Sequence, residues 1–202
     1  MVPKSIHSIL TFSLILMLIM ASIPNGTIQA LGHHAVSLPI PDIFISQVMN
    51  GQAEELRAVY VPGILAARVV PQPEGNDVFV SPMKKVVTQF TLASRFGSIG
   101  LLAHNYLAGE SFSLLTEGQQ FYLIYGDGRA STFMIMEILR YRAIDSTNAR
   151  SEFVNLENGE LETAAEVFTE IYNRPGQVIF QTCISADEDP SWGRLFVIAQ
   201  PY

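Results

Sequence analysis

Short β-rich runs separated by turn residues dominate the chain from Asp77 onward. Several short strands at this spacing are typical of a β-barrel or a β-sandwich. Two of the runs flank Gly126-Asp127-Gly128, whose glycines accept a positive φ, so a hairpin is expected there. The expected strands are Val78–Val80, Lys85–Phe90, Ile99–Leu102, Phe121–Tyr125, Thr132–Leu139, Val178–Thr182 and Leu195–Ala199.

One amphipathic helix is expected before the last two strands. Thr163 and Glu166 form a T-x-x-E capping box, and Asn173 with Pro175 marks the end of the helix. The single apolar face predicts that this helix packs on the β-structure rather than on a membrane. Its apolar residues recur at helical spacing: Leu161, Ala164, Ala165, Phe168, Ile171 and Tyr172.

The amino terminus has the pattern of a secretory signal. Lys4 precedes an apolar run from Ile9 to Ile23. Residues 1–30 are therefore interpreted as a signal peptide or membrane anchor, and whether this segment is cleaved stays open. The protein is expected outside the cytoplasm, secreted or anchored at the cell surface. Residues 31–57 are interpreted as a linker or N-terminal extension, with 31–45 extended and a short helix within Phe44–Arg57 as one option.

Charge and cysteine content exclude several classes of protein. The 202 residues carry a formal net charge of −7, which argues against a nucleic-acid binder, since such a protein needs a basic face. A single cysteine excludes an intrachain disulfide and any cysteine-rich metal site. The acidic trio Asp187, Glu188 and Asp189 is interpreted as a solvated loop. We therefore expect neither a metal nor a cofactor.

Three residues in the β-rich region match the parts of a thiol catalyst. Cys183 ends one expected strand, and a nucleophilic thiolate needs a nearby base or positive charge. His104 follows the run Ile99–Leu102, and Arg194 opens the strand after the cysteine. If the last two strands pair, Arg194 returns to the side of Cys183. From composition alone, an inert cysteine, a satisfied histidine and a surface arginine remain the alternative.

The segments around these residues resemble the sortase family. LLAHN followed by AGESFSLL (101–105 and 108–115) resembles the sortase histidine segment, FQTC (180–183) the cysteine strand, and GRLFVIA (193–199) the arginine strand. VYVPGI (59–64) is similar to the extended segment before the sortase barrel. Ala103 stands where the family has glycine, and Ile179-Phe180 where it has Thr-Leu. These departures put the substrate class in doubt more than the fold.

The resemblance implies a mostly β, sortase-type closed barrel of about eight strands over residues 58–202, with the helix before the cysteine strand. This helix is similar to the one that class B sortases carry at that place. It also implies a cysteine transpeptidase that cleaves the sorting signal of a secreted protein and transfers the product to an amine acceptor. His104, Cys183 and Arg194 would be catalytic. Asn105, Thr182 and Trp192 would bind substrate, although Trp192 packing its own loop is an equal alternative.

Two other interpretations of the sequence stay open. A sortase-fold protein without catalysis would act as a surface binding module, since a fold does not establish an activity. An unrelated secreted β-protein with an inert cysteine is the third interpretation. Thiol reactivity in the folded protein separates them from the catalytic one.

Overall fold

The computed structural model describes residues 40–148 and 150–202. The prediction for the signal peptide or anchor and the first part of the linker, residues 31–39, lie outside the described residues. Within the described ranges, no helix is long and apolar enough to cross a membrane.

Ten strands, three α-helices and one 3-10 helix make up the described chain. The helices are α1 (Asp42–Val48), α2 (Thr91–Ser94), the 3-10 helix (Ala108–Leu114) and α3 (Ala164–Tyr172). The strands are β1 (Leu56–Val61), β2 (Leu65–Pro71), β3 (Val86–Phe90), β4 (Ile99–Leu102), β5 (Gln120–Tyr125), β6 (Ala130–Ala143), β7 (Phe153–Asn155), β8 (Leu161–Glu162), β9 (Val178–Ala186) and β10 (Asp189–Pro201).

Eight of these strands close into a barrel. The sheet runs β10-β9-β4-β3-β2-β1-β5-β6, and β6 pairs again with β10, while β7 and β8 extend from β6 outside the closed ring. Closure leaves no free edge in the ring, which removes the exposed backbone groups that favour aggregation. The predicted mostly β, closed eight-strand barrel with a helix before the cysteine strand is confirmed.

Alternation along the strands sends side chains to two separate cores. In β9, Val178 and Phe180 face the barrel interior with residues from the other seven barrel strands. Ile179, between them, faces outward into a second core that includes Val167 and Ile171 of α3. Because the period of a strand is two, β9 is apolar on both faces where α3 covers it. This double burial explains the unbroken apolar run before the cysteine.

The capping box predicted for α3 is present. The Thr163 hydroxyl accepts from the Glu166 backbone N–H, and the Glu166 carboxylate accepts from the Thr163 backbone N–H. These bonds satisfy helix-end donors and hold the pKa of Glu166 below its ordinary value. The helix is shorter than the apolar pattern indicated, since Leu161 lies in β8 and is exposed.

The hairpin predicted around Gly126-Asp127-Gly128 is confirmed. β5 and β6 pair antiparallel, with Ile124 opposite Ala130. Gly128 adopts φ +88°, a left-handed conformation that glycine accepts without a Cβ penalty.

Two local predictions were wrong. Val78–Val80 is not a strand: the Gln72 side-chain amide donates to the Asp77 and Phe79 carbonyls, so this segment is bound by a side chain instead of a sheet. The expected extended conformation of 31–45 fails from Asp42, where α1 begins. The buried Val48 of α1 packs on the outer face of β1 and β5.

Removing the α3 cap tests its contribution to stability. Thr163→Ala is expected to lower the free energy of unfolding by about 1 kcal/mol, because an orphan N–H at the helix start loses its acceptor. Thr116→Ala, at an exposed threonine whose hydroxyl caps no helix, is the matched control. Urea unfolding of both variants measures the difference, and equal midpoints would contradict the prediction.

Candidate active site

The strand that carries the cysteine lies between the two strands that carry the other predicted catalytic residues. β9 pairs antiparallel with β10, and Arg194 lies directly opposite Cys183. Directly opposed residues share one face of a sheet, with Cβ atoms about 5 Å apart. The pairing expected between these two strands is therefore present, and Arg194 returns to the side of the cysteine.

His104 reaches the same level from the other side of β9. β4 runs parallel to β9, with Leu102 opposite Gln181. The ladder continues one residue further, because the Ala103 N–H donates to the Gln181 carbonyl at 3.2 Å. Extending this register by two residues beyond Leu102, where β4 ends, would set His104 opposite Cys183. Among the described residues no hydrogen bond joins His104, Cys183 and Arg194.

The Thr182 hydroxyl joins the end of β4 to β9. Its hydroxyl donates to the Ala103 carbonyl at 2.9 Å, and its side chain is 4% exposed. The adjacent Gly109 approaches so closely that a Cβ there would collide with the Thr182 hydroxyl and the His104 carbonyl. This geometry gives Thr182 a positioning role; the predicted contact with substrate is untested.

Asn105 ties the histidine segment to the β9–β10 hairpin. Its side-chain amide donates to the Ser185 hydroxyl at 2.7 Å and to the Pro190 carbonyl at 2.9 Å. Both amide N–H groups are therefore engaged within the protein. The hairpin itself turns through Asp187 and Glu188, which adopt φ +51° and +64°, the conformation of a tight two-residue turn. The acidic loop expected here is thus only two residues long.

A bulge in β10 positions the Arg194 guanidinium. The register shifts between Asp189 and Gly193. Nη1 of Arg194 donates to the Ser191 carbonyl at 3.0 Å and to the Gly193 carbonyl at 2.9 Å, and the guanidinium carbon lies 5.9 Å from the Phe153 ring centroid. Since guanidinium has five N–H donors, three remain on Nε and Nη2. Within the described chain, no acceptor engages those three.

Asp189 supplies the negative charge next to this arginine. Hydrogen bonds from the Ser146 hydroxyl and the Ser191 backbone N–H, together with the nearby Arg194 charge, hold the pKa of Asp189 below its ordinary value. The carboxylate is therefore ionised well into acid. The Asp189 carboxylate is a negative charge near Arg194, and it accepts no hydrogen bond from Nε or Nη2 of the guanidinium.

Cys183 is a free, half-buried thiol in a groove of about 270 Å³. We call this the cysteine groove; its other lining residues include Asn105, Gly109, Glu110, Thr182 and Ser185. Arg194 lines a neighbouring groove of about 180 Å³ beside α3, with Phe153 and Gln181. Trp192 lies half-buried in the β10 bulge, two residues before Arg194. Its predicted contact with substrate is untested.

Two side-chain contacts of tyrosines were not predicted from the sequence. The Tyr106 ring stacks on the His104 ring, with 5.2 Å between centroids and 19° between planes, and Tyr106 is 69% exposed. The buried Tyr172 hydroxyl donates to the Gln181 side chain across the second core. An exposed tyrosine two residues after a histidine has no periodic signal, so only the three-dimensional structure reveals the stacking.

No metal centre is evident in the part of the chain that the structure describes. Within residues 40–148 and 150–202, no group of three or more histidine, cysteine, aspartate and glutamate side chains is arranged to hold an ion.

Comparisons with known proteins concern the overall shape. No family model matches the sequence, and no curated protein matches it. The structure is similar to sortase C-1 from Actinomyces oris, with 12% identity, 82% of each chain covered and a TM-score of 0.49. Sortase A from Corynebacterium diphtheriae is similar at 11% identity over 75% of this chain and 62% of that chain, with a TM-score of 0.49. Sortase C1 from Streptococcus suis is similar at 14% identity over 80% and 79%, with a TM-score of 0.49.

All three proteins are sortases, the family that the sequence segments resemble. With TM-scores of 0.49, these similarities carry no inference about activity. The class B-like interpretation stays a prediction. The residues of this chain are the support for a proposed function.

Removing the Thr182 hydroxyl tests its role in positioning β4. Thr182→Val is expected to lower the free energy of unfolding by about 1–3 kcal/mol, because the buried Ala103 carbonyl loses its side-chain donor. Thr182→Ser keeps the hydroxyl and is the matched control. Thr182→Val removes only the hydroxyl and Thr182→Ser removes only the methyl, so a Thr182→Val variant as stable as wild type would contradict the prediction.

Proposed function

We propose that this protein is a sortase-like cysteine transpeptidase. One observation supports the proposal: Arg194 lies opposite Cys183 on the neighbouring strand, and His104 follows the end of β4, the strand that pairs with β9 on the other side. A thiol nucleophile, a proton carrier and a cation that stabilises an oxyanion are the three parts that acyl transfer requires.

In the first step, the Cys183 thiolate attacks a backbone carbonyl of the substrate peptide. The carbonyl oxygen gains negative charge, and the free donors on Nε and Nη2 of Arg194 stabilise that charge. Arginine suits this role because its charge is fixed and its donors are forked. The C–N bond then breaks, and His104 protonates the departing amine. The products are a thioacyl-enzyme and a free amine fragment.

In the second step, an amine attacks the thioester carbonyl. A new C–N bond forms, the C–S bond breaks, and the proton lost by the amine passes to His104. The thiolate is regenerated. Water in place of the amine gives a free carboxylate, so the same site supports hydrolysis.

The substrate class follows from the sequence resemblance and the amino-terminal segment. A sorting-signal peptide of a secreted protein is the proposed acyl donor, and a cell-wall precursor or another protein provides the amine. The apolar run Ile9–Ile23 supports export, with possible membrane attachment through that segment. The proposed location is therefore extracytoplasmic, at the cell surface.

Mass spectrometry after incubation with a peptide library tests the proposal. Wild-type protein is expected to acquire an acyl adduct on Cys183 and to release amine fragments, whereas Cys183→Ala does neither. The adduct mass also identifies the cleaved sequence. Library peptides that remain intact with wild-type protein under every condition would reject the proposal for these substrates.

Arg194→Lys tests the role of the guanidinium. We expect kcat to fall by on the order of 100-fold, because a single compact ammonium does not reproduce the forked donors at the oxyanion. Arg95→Lys, an exposed arginine after α2, is the matched control and should leave kcat unchanged. Equal activity of Arg194→Lys and wild type would assign Arg194 a structural role only.

Native thiol reactivity separates catalysis from the binding-module alternative. Half-buried Cys183 lines an open groove, so we expect folded protein to react with iodoacetamide. We also expect His104→Ala to slow that reaction, because a nearby base increases the thiolate fraction. A thiol that reacts only after denaturation would favour a non-catalytic surface protein.

A further inference from the structure

A groove next to the histidine contains the only two lysines of the described chain. Lys84 and Lys85 line a space of about 390 Å³, together with Tyr106, Leu107 and Glu110. We call this the lysine groove. In a protein with a formal net charge of −7, these two adjacent ammonium groups form a local positive patch. No aspartate or glutamate of the described residues forms an ion pair with either lysine.

The backbone holds Lys85 in a conformation that side chains rarely adopt. Its φ is +57°, and its carbonyl accepts from the Arg68 N–H at 3.0 Å. A residue other than glycine, asparagine or aspartate pays a cost in the left-handed region, and such strain concentrates at functional sites. In this conformation Lys85 lies immediately before β3, and both Lys84 and Lys85 line the groove.

The lysine groove lies one aromatic ring away from the proposed proton carrier. Tyr106 lines the groove and stacks on His104 at 5.2 Å between ring centroids. The lysine groove and the cysteine groove share one lining residue, Glu110. Going from the cysteine groove to the lysine groove, the Cys183 thiol is followed by the Glu110 carboxylate and then by the ammonium groups of Lys84 and Lys85.

We infer that the lysine groove binds the amine acceptor, and that the acceptor carries a carboxylate. The inference rests on the proposed transpeptidation. A zwitterion fits the charge order: its ammonium end is attracted to Glu110 at the border of the cysteine groove, and its carboxylate to Lys84 and Lys85. The bound amine loses a proton to His104 and attacks the thioester, so that a C–N bond forms while the C–S bond breaks.

Matched achiral probes test binding without any need for turnover. 6-Aminohexanoate carries both charges, whereas 6-aminohexanamide lacks only the carboxylate. In an NMR titration of full-length Cys183→Ala protein, we expect the carboxylate probe to bind more tightly. Adding Lys84→Gln and Lys85→Gln together should weaken its binding by about tenfold, and each alone by about threefold. Raising the salt concentration should weaken it as well.

Arg95→Gln removes the same charge outside the groove and is the matched control, since it should leave binding unchanged. Urea unfolding midpoints show whether each variant is folded. Equal binding of the two probes, or binding unaffected by the double lysine substitution, would overturn the inference.

A second measurement distinguishes this inference from the proposed function. With an acylated wild-type enzyme, the ratio of transfer to hydrolysis should be higher with 6-aminohexanoate than with 6-aminohexanamide, and the double lysine variant should lose that preference. An acyl-enzyme without any preference rejects the lysine groove and leaves the transpeptidase standing. Carboxylate binding without any acyl-enzyme rejects the transpeptidase and leaves a carboxylate site standing.

Discussion

The pairing of β10 on both of its edges is the constraint on which the rest of the structure depends. From Gly193 onward, β10 pairs with β9 on one side and with β6 on the other, and this second pairing closes the barrel. Arg194 is consequently fixed between Cys183 and Tyr141. Side chains of β10 alternate between the interior core and the core under α3. The same strand therefore both closes the barrel and sets the position of Arg194.

The predictable part of the structure is the part with strong local patterns. The central barrel strands and the α3 cap follow from alternation, turn glycines and a capping box. Helix α1 was expected only as an option within Phe44–Arg57, and its start at Asp42 was not predicted, because Pro41 indicated an extended chain. Proline is tolerated at the start of a helix, and here it occupies the N-cap. Strand β7 has three residues and β8 has two, so both are too short to show an alternation of apolar and polar residues.

In the candidate site, the residue types and the position of Arg194 opposite Cys183 were predictable, whereas the pairing of β4 with β9 was not. A single cysteine, one histidine in β-rich sequence and a nearby arginine restrict the choice of reacting groups. The parallel pairing of β4 with β9 joins residues 79 positions apart, as in the Thr182–Ala103 hydrogen bond. No local pattern encodes such a contact. The same limit applies to the hydrogen bonds that Asn105 and Thr182 donate within the protein, while their predicted contact with substrate stays a prediction.

The hydrogen bonds of Asn105 have a mechanical consequence. The segment that carries the imidazole has one polar anchor on the β9–β10 hairpin, at Ser185 and Pro190, on the strands that bear the thiol and the guanidinium. A peptide that moved this hairpin on entering would move all three reacting groups together. Occupancy of the groove and alignment of these three side chains would then be one event.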